Sequence, residues 1–166
     1  MKMQLRQPQG WQRLMQQFAA LPPVSWVYSY TLHHIDGVLM WLSGGRLTAS
    51  GVLAGLPVVK LTTRGAKSGQ PRTVPVIAIP DGDKFVLIAS HWGRKRHPAW
   101  YHNLRANPEV TLSIEGRTAT YVAREVADDE REAYWQRAVA IYPGYAAYKQ
   151  RTGGRQIPVM VLTPKA

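Results

Sequence analysis

The spacing of apolar residues changes period along the chain, and the change separates a helical front from a strand-rich remainder. From Gly10 to Leu21 the apolar positions are Trp11, Leu14, Met15 and Phe18, with Gln and Arg elsewhere. That spacing predicts an amphipathic helix, and Pro22-Pro23 stops it. Val24 to Leu42 is long and apolar but is broken by His33-His34 and Asp36-Gly37. A spanning helix would bury an acid and two imidazoles in hydrocarbon, so this segment reads as a soluble or interfacial helix. Gly44 to Leu56 is a Gly- and Ser-containing connection, and Pro57 introduces the first strand.

From there the period shortens. Val58 to Thr63 reads as a strand and breaks into a Gly-flanked basic turn, Arg64 to Gly69. Thr73 to Ile79 and Lys84 to Ser90 are two apolar runs joined by Pro80-Asp81-Gly82-Asp83, whose Asp-Gly pair signals a hairpin. Arg94-Lys95-Arg96 then leads through Pro98 into an aromatic helical start, Ala99-Trp100-Tyr101. Glu109 to Glu115 alternates Val110, Leu112 and Ile114 against Thr111 and Ser113, Gly116 turns, and Thr118 to Glu125 returns. Asp128 is placed to cap a helix whose first turn is acidic and which carries Arg137 toward its other end. That helix ends near Tyr142-Pro143-Gly144, a short one runs through Tyr148, and Ile157 to Leu162 is a continuous apolar run fit for a closing central strand. Six strands with helices at the front, in the middle and before the last strand predict an α+β protein built on a small, mainly antiparallel barrel. The first strands are not separated by helices, which argues against a doubly wound dinucleotide fold.

The chain's 166 residues suit one domain: a helical extension over 1–56 and a barrel core over 57–166. The absence of cysteine excludes disulfides, thiolate catalysis and Cys-based zinc sites. The N-terminus lacks an uninterrupted apolar stretch of the secretory kind, so cytoplasm is the default. Formal net charge is +11, and residues 60–105 carry nine Lys or Arg against Asp81 and Asp83. Such a balance admits nucleic acid, an anionic membrane or an acidic small molecule as partner. Neither a helix-turn-helix pattern nor strand-borne RNP aromatics is present, so nucleic acid is set aside.

A hairpin returns the chain to the side from which it came, so the two cationic loops fall at neighbouring strand ends. Gly-rich backbone, Lys and Arg there suit phosphate or carboxylate oxygens. A merely polar pair of loops fits the residues equally well. His33-His34 is the one hint of a metal site, and adjacent helical positions diverge too far to share an ion, so no metal is assigned. Tryptophans 11, 26 and 41 with Arg13 and Arg46 suit peripheral membrane association as well as they suit core packing. Tyr142, Tyr145 and Tyr148 are spaced by three, and on helix they would share a face, either as a half-buried aromatic layer or as a wall with polar tips.

Taken together, KLTTRGAKSGQPRTVPV, DGDKFVLIASHWGRKRHPAWYHNLRANPEV and ADDEREAYWQRAVAIYPGYAAYKQRTGGRQIPVMVL resemble the deazaflavin (coenzyme F420)-dependent nitroreductase family of mycobacteria and related bacteria, over roughly residues 58–163. The resemblance implies a split β-barrel related to flavin-binding pyridoxamine-phosphate oxidases, holding reduced F420, whose phosphate and oligoglutamate tail would account for the basic loops. By position it assigns Lys67, Ser68 and Arg72 to phosphate and tail, with Arg94 and Lys95 beside them. Thr73, Val74 and Pro75 would line the ring, together with Ala89, Ser90, His91, Trp100, Tyr101 and Asn103. Tyr142, Tyr145 and Tyr148 fall on the substrate side, and Ser90 with the phenols would polarise a quinone, nitro or enone acceptor, Tyr145 foremost. The turn departs from the family's GRKSG in reading Gly65-Ala66-Lys67-Ser68-Gly69, and His91 stands where a Lys is usual. FMN on the same barrel is the alternative cofactor, and a non-catalytic cofactor or lipid binder is the alternative class. Oligomeric state is left open.

Overall fold

The computed structural model describes residues 10–20, 24, 38, 55–114 and 116–165. Six strands form a closed barrel in the order β1-β2-β3-β6-β5-β4, every neighbouring pair antiparallel. They are β1 (Val58–Arg64), β2 (Pro71–Asp81), β3 (Lys84–Ile88), β4 (Glu109–Ile114), β5 (Arg117–Val126) and β6 (Val159–Pro164). The helices are α1 (Gly10–Ala20), α2 (Ala99–Ala106), α3 (Asp128–Ile141) and α4 (Gly144–Arg151). The expected α+β barrel is therefore present, and the long apolar segment from Val24 to Leu42 falls, but for Val24 and Val38, outside the described residues.

Two layers of apolar packing explain the two hydrophobic patterns in the sequence. The barrel interior is filled by Leu61, Phe85, Leu87, Leu112, Tyr121, Met160 and Leu162, among others, and α2 adds Tyr101 and Leu104 to it. On the outside, α3 and α4 cover Ile79, Val86, Ile88, Val159 and Val161 with Trp135, Ala138, Tyr142, Tyr145 and Tyr148. Strands β3 and β6 are thus buried on both faces and read as unbroken apolar runs. Strand β4 is buried on one face only and alternates. Within the barrel the Tyr121 ring meets Phe85 edge-on at 5.6 Å, while its hydroxyl has no hydrogen-bond partner among the described residues.

Helix α3 is tied to the far end of the barrel. Arg137 donates to the Asp81 carboxylate and the Pro80 carbonyl, both at 2.6 Å, and Tyr134 donates to Asp81 at 2.8 Å. These contacts hold the Asp81 carboxyl below its ordinary range, Arg137 contributing most. Arg137 therefore anchors the β2–β3 hairpin rather than answering the helix dipole. Asp128 also differs from its expected role: it is the first helical residue, at φ +50°, and Ala127 occupies the cap with no side-chain hydrogen bond. On α1, Trp11 and Leu14 are 48% and 67% exposed while Gln16 is buried, so those two apolar residues are not turned into the barrel.

The turn between α3 and α4 requires Gly144 for lack of room. A Cβ there would lie 2.5 Å from the Tyr142 hydroxyl oxygen and closer still to its ring. Gly144→Ala is expected to destabilise the fold by about 1–3 kcal/mol through overpacking, measured by urea unfolding. Pairing it with Tyr142→Leu should recover part of the loss, and a Gly144→Ala protein as stable as wild type would refute the packing argument.

Candidate functional site

Antiparallel order fixes which loops can meet. Strand β1 leaves the barrel at Arg64, β2 enters at Pro71 and pairs with it, β3 leaves at Ile88, and β6 enters opposite it at Val159. The basic turn 65–70 and the basic segment 94–96 consequently emerge at the same end. Helix α2 joins them: Pro98 caps it directly after the second segment, and Asn103, one and a half turns on, holds the first. The Asn103 amide accepts from the Ala66 N–H at 3.0 Å and donates to Thr63 Oγ1 at 3.0 Å. Thr63 in turn donates to the Arg72 carbonyl, knitting helix, turn and both strands together. A rise of ~1.5 Å per residue separates Pro98 from Asn103 by about 8 Å along α2.

The turn itself is built for an anion. Gly65 and Gly69 close it through backbone hydrogen bonds, and a Cβ on Gly65 would lie 2.5 Å from Ser68 Oγ. Lys67, Ser68, Arg72 and Thr73 are exposed around it. The ion pairs of the described residues are Arg124 with Glu130, Arg131 with Glu132, Arg137 with Asp81 and Lys165 with Glu109. Arg64, Lys67, Arg72, Lys95 and Arg96 take part in none of them. Beside these cations half-buried Val74 and Val76 of β2 pack with half-buried Trp100 against the inner cluster, while Ile77 packs on the opposite face. A cationic corner thus borders an apolar strip.

The end of β3 is strained. His91, Trp92 and Gly93 have φ of 50°, 58° and 77°, and the two that bear side chains each cost roughly 1–2 kcal/mol in this region. The His91 ring Nδ1 sits 2.8 Å from the Arg96 carbonyl, and burial pushes its pKa down. Arg155, on the connection into β6, faces this segment. Its guanidinium donates to the carbonyls of Ala89 (3.3 Å), Ser90 (2.8 Å) and Arg94 (3.0 and 3.1 Å), and to His97 Nδ1 (3.0 Å).

Helix α4 packs on the strained turn. Gly93 fits against the Tyr148 backbone, where a Cβ would be 3.0 Å from the carbonyl oxygen, and the Trp92 ring lies 5.9 Å from that of Tyr148. Tyr142 precedes α4 and is not helical, yet the three tyrosine rings converge, with centroids 5.3 to 6.4 Å apart. The hydroxyls of Tyr142 and Tyr148 are hydrogen-bonded at 2.8 Å. All three rings are buried, Tyr145 against Trp135 as well, and burial raises all three phenol pKa values above the ordinary range.

The structure therefore gathers Lys67, Ser68, Arg72, Thr73, Val74 and Pro75 on one corner. Ala89, Ser90, His91, Arg94 and Lys95 form a second, joined to the first by α2 with Trp100. Two side chains do something other than was expected of them. The Asn103 amide is bonded to protein at both ends, and the buried Tyr101 donates its hydroxyl to Glu125 at 3.0 Å. Arg155 and Thr63 belong to the same neighbourhood, and neither stood out in the sequence. A lone Arg after two glycines and one Thr of a Thr62-Thr63 pair in a strand carry no periodic signal.

The family described as F420H(2)-dependent quinone reductase matches residues 41–164. The F420H(2)-dependent quinone reductase Rv1261c of Mycobacterium tuberculosis is 39% identical over 110 residues, spanning 64% of this chain and 73% of that protein. A solved structure described as an F420-H2 dependent reductase, FDR-A, is 41% identical with a TM-score of 0.59, over 64% of this chain and 93% of that one. Another, described as a domain-swapped dimer, is 37% identical with a TM-score of 0.60, over 84% and 98%. A small antiparallel barrel with a cationic end thus falls among oxidoreductases. The chain belongs to the F420H(2)-dependent quinone reductase family.

The docking of the basic turn is open to direct test. Asn103→Ala should leave the Ala66 amide without its partner and raise local opening about 5- to 30-fold, the equivalent of ~1–2 kcal/mol. Limited trypsin digestion would read this as faster cleavage at Lys67 with near-UV circular dichroism unchanged. Equal cleavage rates in the two proteins would show that Asn103 does not hold the turn.

Proposed function

We propose that this chain binds reduced coenzyme F420 at the cationic end of the barrel and reduces a quinone, with nitroaromatic and enone compounds as further acceptors. The observation that carries the reading is the joining of two cationic segments by one helix, with an apolar strip beside them. An anionic tail and a planar ring need those two surfaces next to one another. In this reading Lys67, Ser68, Arg72 and the amides of the Gly65–Gln70 turn hold phosphate, with Arg94 and Lys95 on the tail. Thr73, Val74, Pro75, Ala89, His91 and Trp100 shape the ring slot, and Tyr101 and Asn103 support it from behind.

The cofactor supplies a hydride, and the protein supplies placement and polarisation. Ser90, at the turn between β3 and the strained segment, is a donor to the acceptor oxygen as negative charge builds there. The tyrosines form the neighbouring wall. One hydrogen bond between the Tyr142 and Tyr148 hydroxyls leaves the second hydrogen of that pair free to point elsewhere. With pKa values raised by burial, the phenols remain neutral donors and do not give up a proton, so the proton that completes reduction arrives from solvent. Tyr145, enclosed between Trp135 and its fellow tyrosines, orders this wall.

Titration with reduced F420 and with FMN, followed by turnover with menadione, tests the assignment. Reduced F420 should bind at least tenfold more tightly than FMN and be oxidised on adding menadione. Indifference to F420, or equal use of FMN, would overturn it. Lys67→Ala combined with Arg72→Ala should weaken F420 binding about 10- to 100-fold through loss of charge-assisted contacts, most strongly at low salt, with little change in kcat at saturation. Tyr145→Phe, which alters the enclosed ring's polar tip and so the order of the wall, should lower kcat with cofactor affinity essentially unchanged. Equal loss of both would move Tyr145 into the binding shell.

A further inference from the structure

We propose that Arg155 is a positioning residue of the cofactor slot, clamping the segment Ala89–His97 in the strained shape that presents His91, Arg94 and Lys95 at the rim. The proposal rests on the reading above that this segment serves the cofactor. It adds a residue outside the sequence-derived set, and a means by which the strained turn is kept.

The geometry is specific to a guanidinium. Its acceptors bracket the left-handed run: Ala89 and Ser90 come before His91, and Arg94 and His97 come after Gly93. One planar fork thus satisfies carbonyls on both sides of a turn whose own backbone bonds are few, Gly93 to Ser90 and Arg94 to His91. An ammonium would act as a single point charge and could not reach the same set. Among the described residues no carboxylate pairs with Arg155, so its charge is spread over neutral dipoles. It therefore also adds to the positive field at this end of the barrel.

His97 reports on the clamp. Arg can only donate, so the His97 Nδ1 that faces it must be an acceptor, and the ring proton must sit on Nε2. The other groups around that ring are Tyr101 at 4.7 Å and His102 at 5.8 Å between centroids, with the Glu125 and Arg105 charges further out. None of them fixes the tautomer as a bonded guanidinium does.

Arg155→Lys and Arg155→Met test the proposal, first without cofactor. In the wild-type protein, ¹⁵N spectra of the His97 ring should show a single Nε2–H tautomer. In both variants the tautomer should become mixed. Amide exchange over 89–97 should accelerate at least tenfold, with β4 and β5 unchanged within twofold. Affinity for reduced F420 should then fall tenfold or more, the Lys variant lying between wild type and Met, with kcat at saturating cofactor changed less than threefold. Should the Met variant fail to fold, the Lys variant, which keeps the charge and loses the fork, carries the test. Unchanged exchange and tautomer would overturn the clamp, and a loosened segment with undiminished F420 affinity would overturn its link to the slot. Failure of the functional reading is distinguishable, because wild-type protein would then ignore reduced F420 while the tautomer and exchange changes persisted.

Discussion

Closure of the barrel rests on a short seam between β1 and β4, where Lys60, Leu61 and Thr62 face Ser113, Leu112 and Thr111. Without it β1 and β4 would be open edges with unpaired backbone groups. Leu61 and Leu112, opposite one another at its centre, are both fully buried. The seam also decides where the functional loops lie, because it fixes the height at which Arg64 leaves β1. Strand β2 is long enough to serve two neighbours in succession, β1 along Pro71–Ile77 and β3 along Ala78–Asp81. The basic turn and the end of β3 are therefore held on one continuous piece of backbone.

Charge is sorted on this frame. Half of the chain's ten acids lie between Glu125 and Glu132, and at the far end of the barrel Asp81 is bound by α3. Exposed pairs such as Arg124 with Glu130 contribute little stability, being screened by water. Arg155 extends the pattern inward, where a cation is held by carbonyl oxygens and an imidazole.

How much of this was legible in the sequence depended on whether local pattern or distant packing set each feature. Strand β4 could be read from alternation because one of its faces stays outside the core. The β2–β3 hairpin was visible in Asp81-Gly82, where Gly82 takes the left-handed conformation such a turn needs. Both basic loops announced themselves by composition. By contrast the orientation of α1 and the Asp81 partner of Arg137 are settled by contacts far away in the chain. Tyr142 joins its fellow tyrosines from outside the helix, so spacing by three was a correct grouping for an incomplete reason. Arg155 acts mainly through backbone carbonyls of another segment, and backbone acceptors leave no trace in residue identity.

The interior of the barrel is plugged by side chains, with Phe85, Tyr121, Leu162 and their neighbours meeting at its axis. No molecule the size of a tricyclic ring can lodge along that axis, so in the proposed function the ring lies against the outer wall like a tile on a column. A tile has a free side. On the proposed reading that uncovered side is where the oxidant arrives, and the two reactants meet face to face without a tunnel through the protein. Which flat molecules are accepted would then depend more on what stands opposite the wall than on the cylinder behind it.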